Sequence, residues 1–264
     1  MKEQLKGLYN ILVMFGFDPR KTLYSLMGLV LYFKDLKFFM KQKKTSAVEF
    51  PFGKPYPCLG DRFSESGFAS GHYFHQDLLV ARRVHLNNPV LHVDIGSRVD
   101  GFVAHLASFR ALEVFDIRPL TIAIPNITFK QADLMGDLQN ELTSYCDSIS
   151  CLHALEHFGL GRYGDPINYT GHINGFNNLG KILKEGGKFY FSVPIGQQRI
   201  EFNAHRVFSL QFLLNLFHEK YRIDHFSFVD DSGNLHEDIE LRSDGVSNNF
   251  GCTYGCGIFE LTKT

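Results

Sequence analysis

Hydrophobic and polar positions alternate most informatively between Val90 and Pro119. An apolar run ends in Asp94, the chain turns through Gly96 and Gly101, and Phe102, Val103, Leu106 and Phe109 follow at helical spacing. A second apolar run, Leu112 to Phe115, stops at Asp116. This change of period predicts strand, glycine turn, helix and strand: one βαβ unit with an acid at the carboxyl end of each strand. Downstream, Ile127 to Gln131, Cys146 to Leu152 and Lys188 to Val193 read as strands three to five, and Tyr221 to Val229 and Tyr254 to Leu261 as two closing strands. Helices are expected from Phe74 to Asn87, around Gly136 to Tyr145, from His172 to Leu183 with a left-handed stop at Gly186-Gly187, and from Leu210 to Phe217 behind a Ser209 cap. Asp230 to Phe250 is polar and reads as a long exposed insertion. The whole predicts a doubly wound, Rossmann-like α/β sheet of seven strands with an N-terminal helical extension.

Residues 1–44 have a different texture. Asp18 and Pro19 separate two expected helices, at about 3 to 15 and 20 to 41. Nine Lys or Arg against three Asp or Glu give this segment +6, which leaves −7 for the remainder of a chain whose net charge is −1. The apolar run from Leu23 to Phe33 is far short of the roughly 20 residues that cross a bilayer, and the order of basic and apolar stretches is not that of a signal peptide. Two readings stand: an appendage packed on the core, or a basic amphipathic surface for peripheral contact with anionic lipid or an acidic glycan carrier. Residues 45–73, rich in Pro and Gly, read as an irregular connection or lid, with Phe68 to Tyr73 over the site. The domain itself is expected over residues 74–264.

A chain of 264 residues suits one such domain plus an added segment. Its near-neutral charge offers no general field for nucleic acid. Five cysteines, odd in number and without a C-x-x-C pair, argue against a disulfide framework or a structural zinc site and fit a reducing cytoplasm. His72 and His75 lie three apart without an acid or Cys close in sequence, so no metal is expected.

The turn between the first strand and its helix limits the ligand. A P-loop needs Lys and then Ser or Thr after its second glycine, whereas Phe102 and Val103 follow Gly101. A dinucleotide turn needs a second glycine where Arg98 stands. Asp94 and Asp100 flank the turn, disfavouring a diphosphate and favouring a ligand that is cationic there. S-adenosylmethionine, with its sulfonium and ammonium, answers that description, and Arg98 could meet its carboxylate. Asp116 stands where an acid takes the two ribose hydroxyls. Asp100 is equally readable as a helix cap.

The ordered segments HVDIGSRVDGF, VFDIRP, QADLM and DSISCLHALEHF resemble the motifs of class I S-adenosylmethionine-dependent methyltransferases over roughly residues 74 to 262. More narrowly, HALEHFGLGRYGDP and FNAHRVF resemble the family called domain of unknown function 268, associated with bacterial surface-polysaccharide gene sets. The usual acid-x-Gly-x-Gly-x-Gly keeps only Asp94 and Gly96 in register, with the last glycine shifted to Gly101. The resemblance implies a donor site of Asp94, Gly96, Ser97, Arg98, Gly101, Asp116, Asp133 beside the adenine, and His153. It also implies a sugar or surface-glycan acceptor.

His153-Ala-Leu-Glu156-His157 also matches the H-x-x-E-H of inverted zinc proteases, but here it follows a buried strand and Gly159 and Gly161 soon break any helix. Transfer to a hydroxyl usually needs a base. His157, with Glu156 beside it, and His205, in the cluster with Arg206, are the candidates. Either histidine could instead simply hold loop backbone. A nicotinamide-dependent oxidoreductase and a catalytically silent donor-binding module remain the alternatives.

Overall fold

The computed structural model describes residues 2–48 and 50–264, which fall into two compact units divided between Phe68 and Ala69. In the first, α1 (Lys2–Met14) is followed by α2 (Pro19–Thr45). The break between them has a local cause. Asp18 caps α2, accepting from Arg20 N at 2.9 Å and Lys21 N at 3.2 Å, and Pro19 stands where no intrahelical N–H is needed. Gly28 lets the α2 backbone meet Leu59, whose carbonyl oxygen would lie 1.9 Å from a Cβ at that position. Leu26, Val30, Phe33 and Phe38 are all more than half exposed. Among the described residues no helix is long and apolar enough to cross a membrane.

The second unit begins with α3 (His72–Asn87), which Asn88 ends in a left-handed conformation. Its strands are β1 (His92–Ile95), β2 (Leu112–Asp116), β3 (Ile127–Gln131), β4 (Cys146–Leu152), β5 (Leu183–Ile195), the short hairpin β6 (Arg199–Glu201) and β7 (His205–Val207), β8 (Tyr221–Val229), β9 (Leu235–His236) and β10 (Gly255–Lys263). Between them lie α4 (Ala104–Ala107), α5 (Gly171–Ile182), α6 (Leu210–Phe217) and α7 (Ser243–Ser247). One sheet runs β3-β2-β1-β4-β5-β10-β8-β9, with β10 antiparallel to both its neighbours. The parallel strands β3, β2, β1, β4 and β5 put their carboxyl ends on one edge.

Two apolar layers cover the faces. On one, Phe176 of α5 meets Phe189, Phe191, Phe217 and Tyr221 at ring separations of 5.6 to 5.9 Å. On the other, Leu79, Val80 and Val84 of α3 pack with Phe102, Val103 and Leu106.

Several expectations change. The sheet has eight strands, because the polar stretch after Asp230 contributes β9 as well as α7, and its Asn249 is buried, accepting from Leu210 N at 2.8 Å. The helix expected around Gly136 to Tyr145 reduces to a single turn, Asn140–Leu142. Its entry is pinned instead by Asn178, whose amide donates to Leu134 O at 2.9 Å and Gly136 O at 2.8 Å. Helix α5 ends at Ile182 and runs straight into β5. Gly186, at φ +73°, serves a bulge there rather than a helix stop, since Leu183 pairs with Cys146 and the next partners are Lys188 and Ser148. After β1 the helix is short, entered by a wide turn, Val99–Val103, in which Gly101 is off helical geometry at φ −119°, ψ −120°.

Candidate active site

The carboxyl edge of the sheet converges at Gly96. Its φ of +73° suits glycine, and a Cβ there would lie 2.9 Å from Ala154 Cβ in the loop after β4. Its N–H donates to Phe115 O at 2.9 Å, fastening the end of β2 to the same point.

Asp94 is fully buried just before this turn. It accepts from Ser97 N at 3.2 Å, Ser97 Oγ at 2.9 Å and Ser150 Oγ at 2.5 Å. Because Ser150 gives its proton to Asp94, it accepts from His92 Nε2 at 3.1 Å, while Ser148 donates to His92 Nδ1 at 2.8 Å. His92 is thus neutral, and burial pushes its pKa down to about 3. Burial pushes Asp94 up to about 7, with its hydrogen bonds opposing.

Beyond the turn, Arg98 and Asp100 are exposed and bind each other in two contacts, at 2.9 and 2.6 Å. Arg98 is therefore held by Asp100 rather than left open to a carboxylate, and Asp100 makes no side-chain cap. Gly101 matters for a different reason: a Cβ on it would sit 3.1 Å from Asp77 Oδ2 of α3. Asp77, buried and with its pKa raised by that burial, lines a cavity of about 510 Å³ with Gly96, Ser97, Arg98 and Gly101. The one warning of it in the sequence is a polar pair, Gln76 and Asp77, on a helix face whose other buried members are apolar.

Asp116 ends β2 and is occupied by Arg118, which donates from its backbone N at 2.8 Å, from Nε at 3.0 Å and from Nη2 at 2.5 Å. The same guanidinium lies 4.5 Å from the Tyr163 ring centre. Asp133 uses Oδ1 to accept from Met135 N at 2.9 Å. Asp116, Arg118, Asp133, His153 and Tyr163 line a narrow second cavity. Sequence reasoning missed Arg118, although its spacing of two from Asp116 was visible.

His153 takes a left-handed conformation at φ +50° directly after β4. Its Nδ1 donates to Glu156 Oε1 at 2.7 Å, and its Nε2 and Glu156 Oε2 are buried without a hydrogen-bond partner. Burial alone would depress its pKa, but its interactions with Cys256 and Glu156 outweigh this and push it up to about 10. Glu156, fully buried, is held below the usual carboxylate range because the charge of His153 overcomes burial. Of the segment expected over the site, His72 and Tyr73 do reach it, with ring centres 5.1 and 5.2 Å from that of His153.

His157 donates from Nδ1 to Ala204 O at 2.7 Å, which leaves Nε2 as the basic nitrogen, 3.6 Å from Glu156 Oε1. Burial lowers its pKa, so it is neutral near pH 7. His205 approaches Glu201 Oε2 at 3.0 Å out of hydrogen-bonding alignment. His153, His157, His205, Arg162 and Tyr254 share a third cavity of about 470 Å³.

Arg206 stands apart from these groups. It was expected among the catalytic residues, but it is buried and donates to Phe158 O at 2.6 Å, Glu156 O at 3.4 Å and Tyr169 O at 3.1 Å. It is a brace for the loop after β4. Asp165 braces the same loop from within, accepting from Gly159 N at 2.8 Å and Gly161 N at 3.1 Å. Gly159, at φ +77°, is required there, since a Cβ would come within 2.0 Å of Asn168 O.

Residues 127–250 match the family described as "Caenorhabditis protein of unknown function, DUF268". No curated protein matches the sequence. Among solved structures, the N-methyltransferase NodS of Bradyrhizobium japonicum WM9 is 13% identical over 74% of this chain and 99% of its own, at a TM-score of 0.50. The [4+2]-cyclase SpnF is 12% identical over 81% of this chain and 85% of its own, also at 0.50.

The buried Asp94 makes one measurable statement. Its pKa rises from 3.8 to about 7 on folding, so between those values the native state binds more protons than the unfolded state and stability falls as pH rises. Asp94→Asn should therefore gain stability relative to the parent between pH 4 and about 7, read by urea unfolding. A stability difference independent of pH would refute the shift. Over residues 127–250 the chain matches the family of unknown function DUF268, and its fold is similar to that of the N-methyltransferase NodS and the cyclase SpnF.

Proposed function

We propose that the protein transfers a methyl group from S-adenosylmethionine to an oxygen of a sugar or surface-glycan precursor. The fold alone does not carry the reaction, since one protein that shares it is named a cyclase and another an N-methyltransferase. What supports the donor is Asp77, hydrogen-bonded to Gln76 in the cavity beside the turn, with Asp133 in the adjoining cavity; Asp100 and Asp116 add to their charge once Arg98 and Arg118 turn away. That field suits a sulfonium and an ammonium and opposes the pyrophosphate of a nicotinamide cofactor. Asp116 takes the ribose once Arg118 swings away, Asp133 faces the adenine, and Gly96, Ser97 and Gly101 shape the turn. The glycan acceptor rests on the family resemblance alone.

In this reading the acceptor enters the cavity shared by His157 and His205. His157 is the better base, because its proton-bearing Nδ1 is fixed on Ala204 O and Nε2 is free to accept. The acceptor hydroxyl gives its proton to Nε2, its oxygen attacks the methyl in line, and the sulfonium leaves as a neutral thioether.

Residues 1–44 give a second reading, of peripheral membrane or glycan-carrier contact, favoured by exposed apolar side chains on helices of net +6.

Three experiments follow. Asp116→Ala should weaken donor binding by at least about tenfold, a loss on the order of 1.4 kcal/mol, measured by calorimetric titration with S-adenosylmethionine. Unchanged affinity in a folded variant removes Asp116 from the site, and stabilisation by NAD in place of S-adenosylmethionine favours the oxidoreductase. For His157→Ala, turnover should fall by roughly 10² to 10⁴ at nearly constant donor affinity. Activity of the parent should rise with pH through a midpoint below the ordinary histidine value, because the buried imidazole must be neutral to act; a flat profile with a fully active variant rules this base out. Finally, the full chain should sediment with vesicles containing anionic lipid and be released by salt, whereas equal binding to neutral vesicles, or none, counts against the membrane reading.

A further inference from the structure

We propose that His72, His153 and Cys256 form a site for one zinc-like divalent cation, with Glu156 as the carboxylate that orients His153. The three residues come from the start of α3, the end of β4 and β10, separated by 81 and 103 positions in the chain (153 − 72 and 256 − 153). One ring nitrogen of each histidine and the Cys256 sulfur lie within 4.8 Å of one another. Two imidazoles and a thiolate are a zinc-like donor set, and three protein ligands leave a fourth tetrahedral position for water or an acceptor group.

Two observations point to a ligand independently of that clustering. His153 is more than nine-tenths buried, and with Nδ1 engaged by Glu156 its remaining nitrogen, Nε2, is near Cys256 but has no partner in hydrogen-bonding geometry, so a cation would take the place of the proton it carries. An unsatisfied polar atom in such a place is costly, and a cation bound to Nε2 would remove that cost. The Glu156–His153 pair also reproduces the carboxylate–histidine arrangement that fixes the tautomer of a metal-binding imidazole. In charge terms, Glu156 and a Cys256 thiolate supply two negative charges to a buried place, and a divalent cation balances them. The rings of His72 and His153 are stacked, 15° apart in tilt with centres 5.1 Å apart, so the His72 side chain would have to turn for both imidazoles to bind one ion.

The site stands on its own geometry; its part in the chemistry rests on the transferase reading. His153 also lines the cavity that holds His157. A cation at its Nε2 would lower the pKa of an acceptor hydroxyl, which then gives its proton to His157.

Cobalt(II) added to the full-length, metal-free protein tests the assignment directly. Thiolate-to-cobalt charge-transfer absorption should saturate at one ion per chain, disappear in Cys256→Ser, and need at least tenfold more cobalt in His72→Ala. Zinc should displace the cobalt and raise the melting temperature of the parent. His72→Ala tests the site even if Cys256→Ser does not fold. No charge-transfer absorption in the parent, or absorption that survives Cys256→Ser, overturns the proposal. S-adenosylmethionine binding measured on the same metal-free protein is a separate readout, so loss of the donor reading and loss of the metal site are told apart.

Discussion

The contact between Gly96 and Ala154 sets the geometry of everything at the carboxyl edge. Strands β1 and β4 are neighbours in the middle of the sheet, and the turns that leave them touch at a distance that admits no side chain on Gly96. With Gly96 N–H also tied to Phe115 O, three strand ends are fixed relative to one another. Asp94, Asp116 and His153 take their positions from that junction rather than from contacts among themselves. Rigid strand ends of this kind hold functional groups more closely than loops can.

The loop after β4 shows the complementary device. Its polar residues divide into those that keep its shape and those left over for a ligand. Asp165 and Arg206 saturate its backbone groups from either side. Arg162 and Tyr163 stand at cavity walls, although Arg162 also donates to Ala204 O at 3.1 Å. Interior packing supports the division, for Gly175 on α5 leaves room for the Phe158 ring, which would lie 2.5 Å from any Cβ there.

Alternation of apolar and polar positions made most of the sheet legible. β3, β4 and β8 have the bounds that their residues predict, and α6 begins behind Ser209, whose Oγ accepts from Phe212 N. Failures came where distant groups decide local structure. The turn at Asn140–Leu142 in place of a helix follows from Asn178, some 40 residues away, and β9 from pairing across a hairpin. Spacing along the chain picked out Asp94, Asp116, His153 and Glu156, each at a strand end or one turn beyond, and the fold brings them to the same sheet edge. Spacing could not place Asp77 beside Gly101, or Cys256 beside His72, since only the folded sheet joins those elements. For Arg206 the residue type misled: a buried guanidinium that braces carbonyls and one that takes part in catalysis look alike in sequence.

The position of β10 has a consequence for synthesis. Among the strands of the sheet it is the last to leave the ribosome, yet it lies inside, paired with β5 on one side and β8 on the other. Until residue 263 has emerged, both of those strands present an unpaired edge with a row of free backbone donors and acceptors, an invitation to wrong pairing. Cys256 arrives with this strand, so His153 meets its distant partner only when the sheet closes. In order of synthesis the β1 to β4 half, with Asp94 and Asp116, is complete long before the middle strand of the other half emerges.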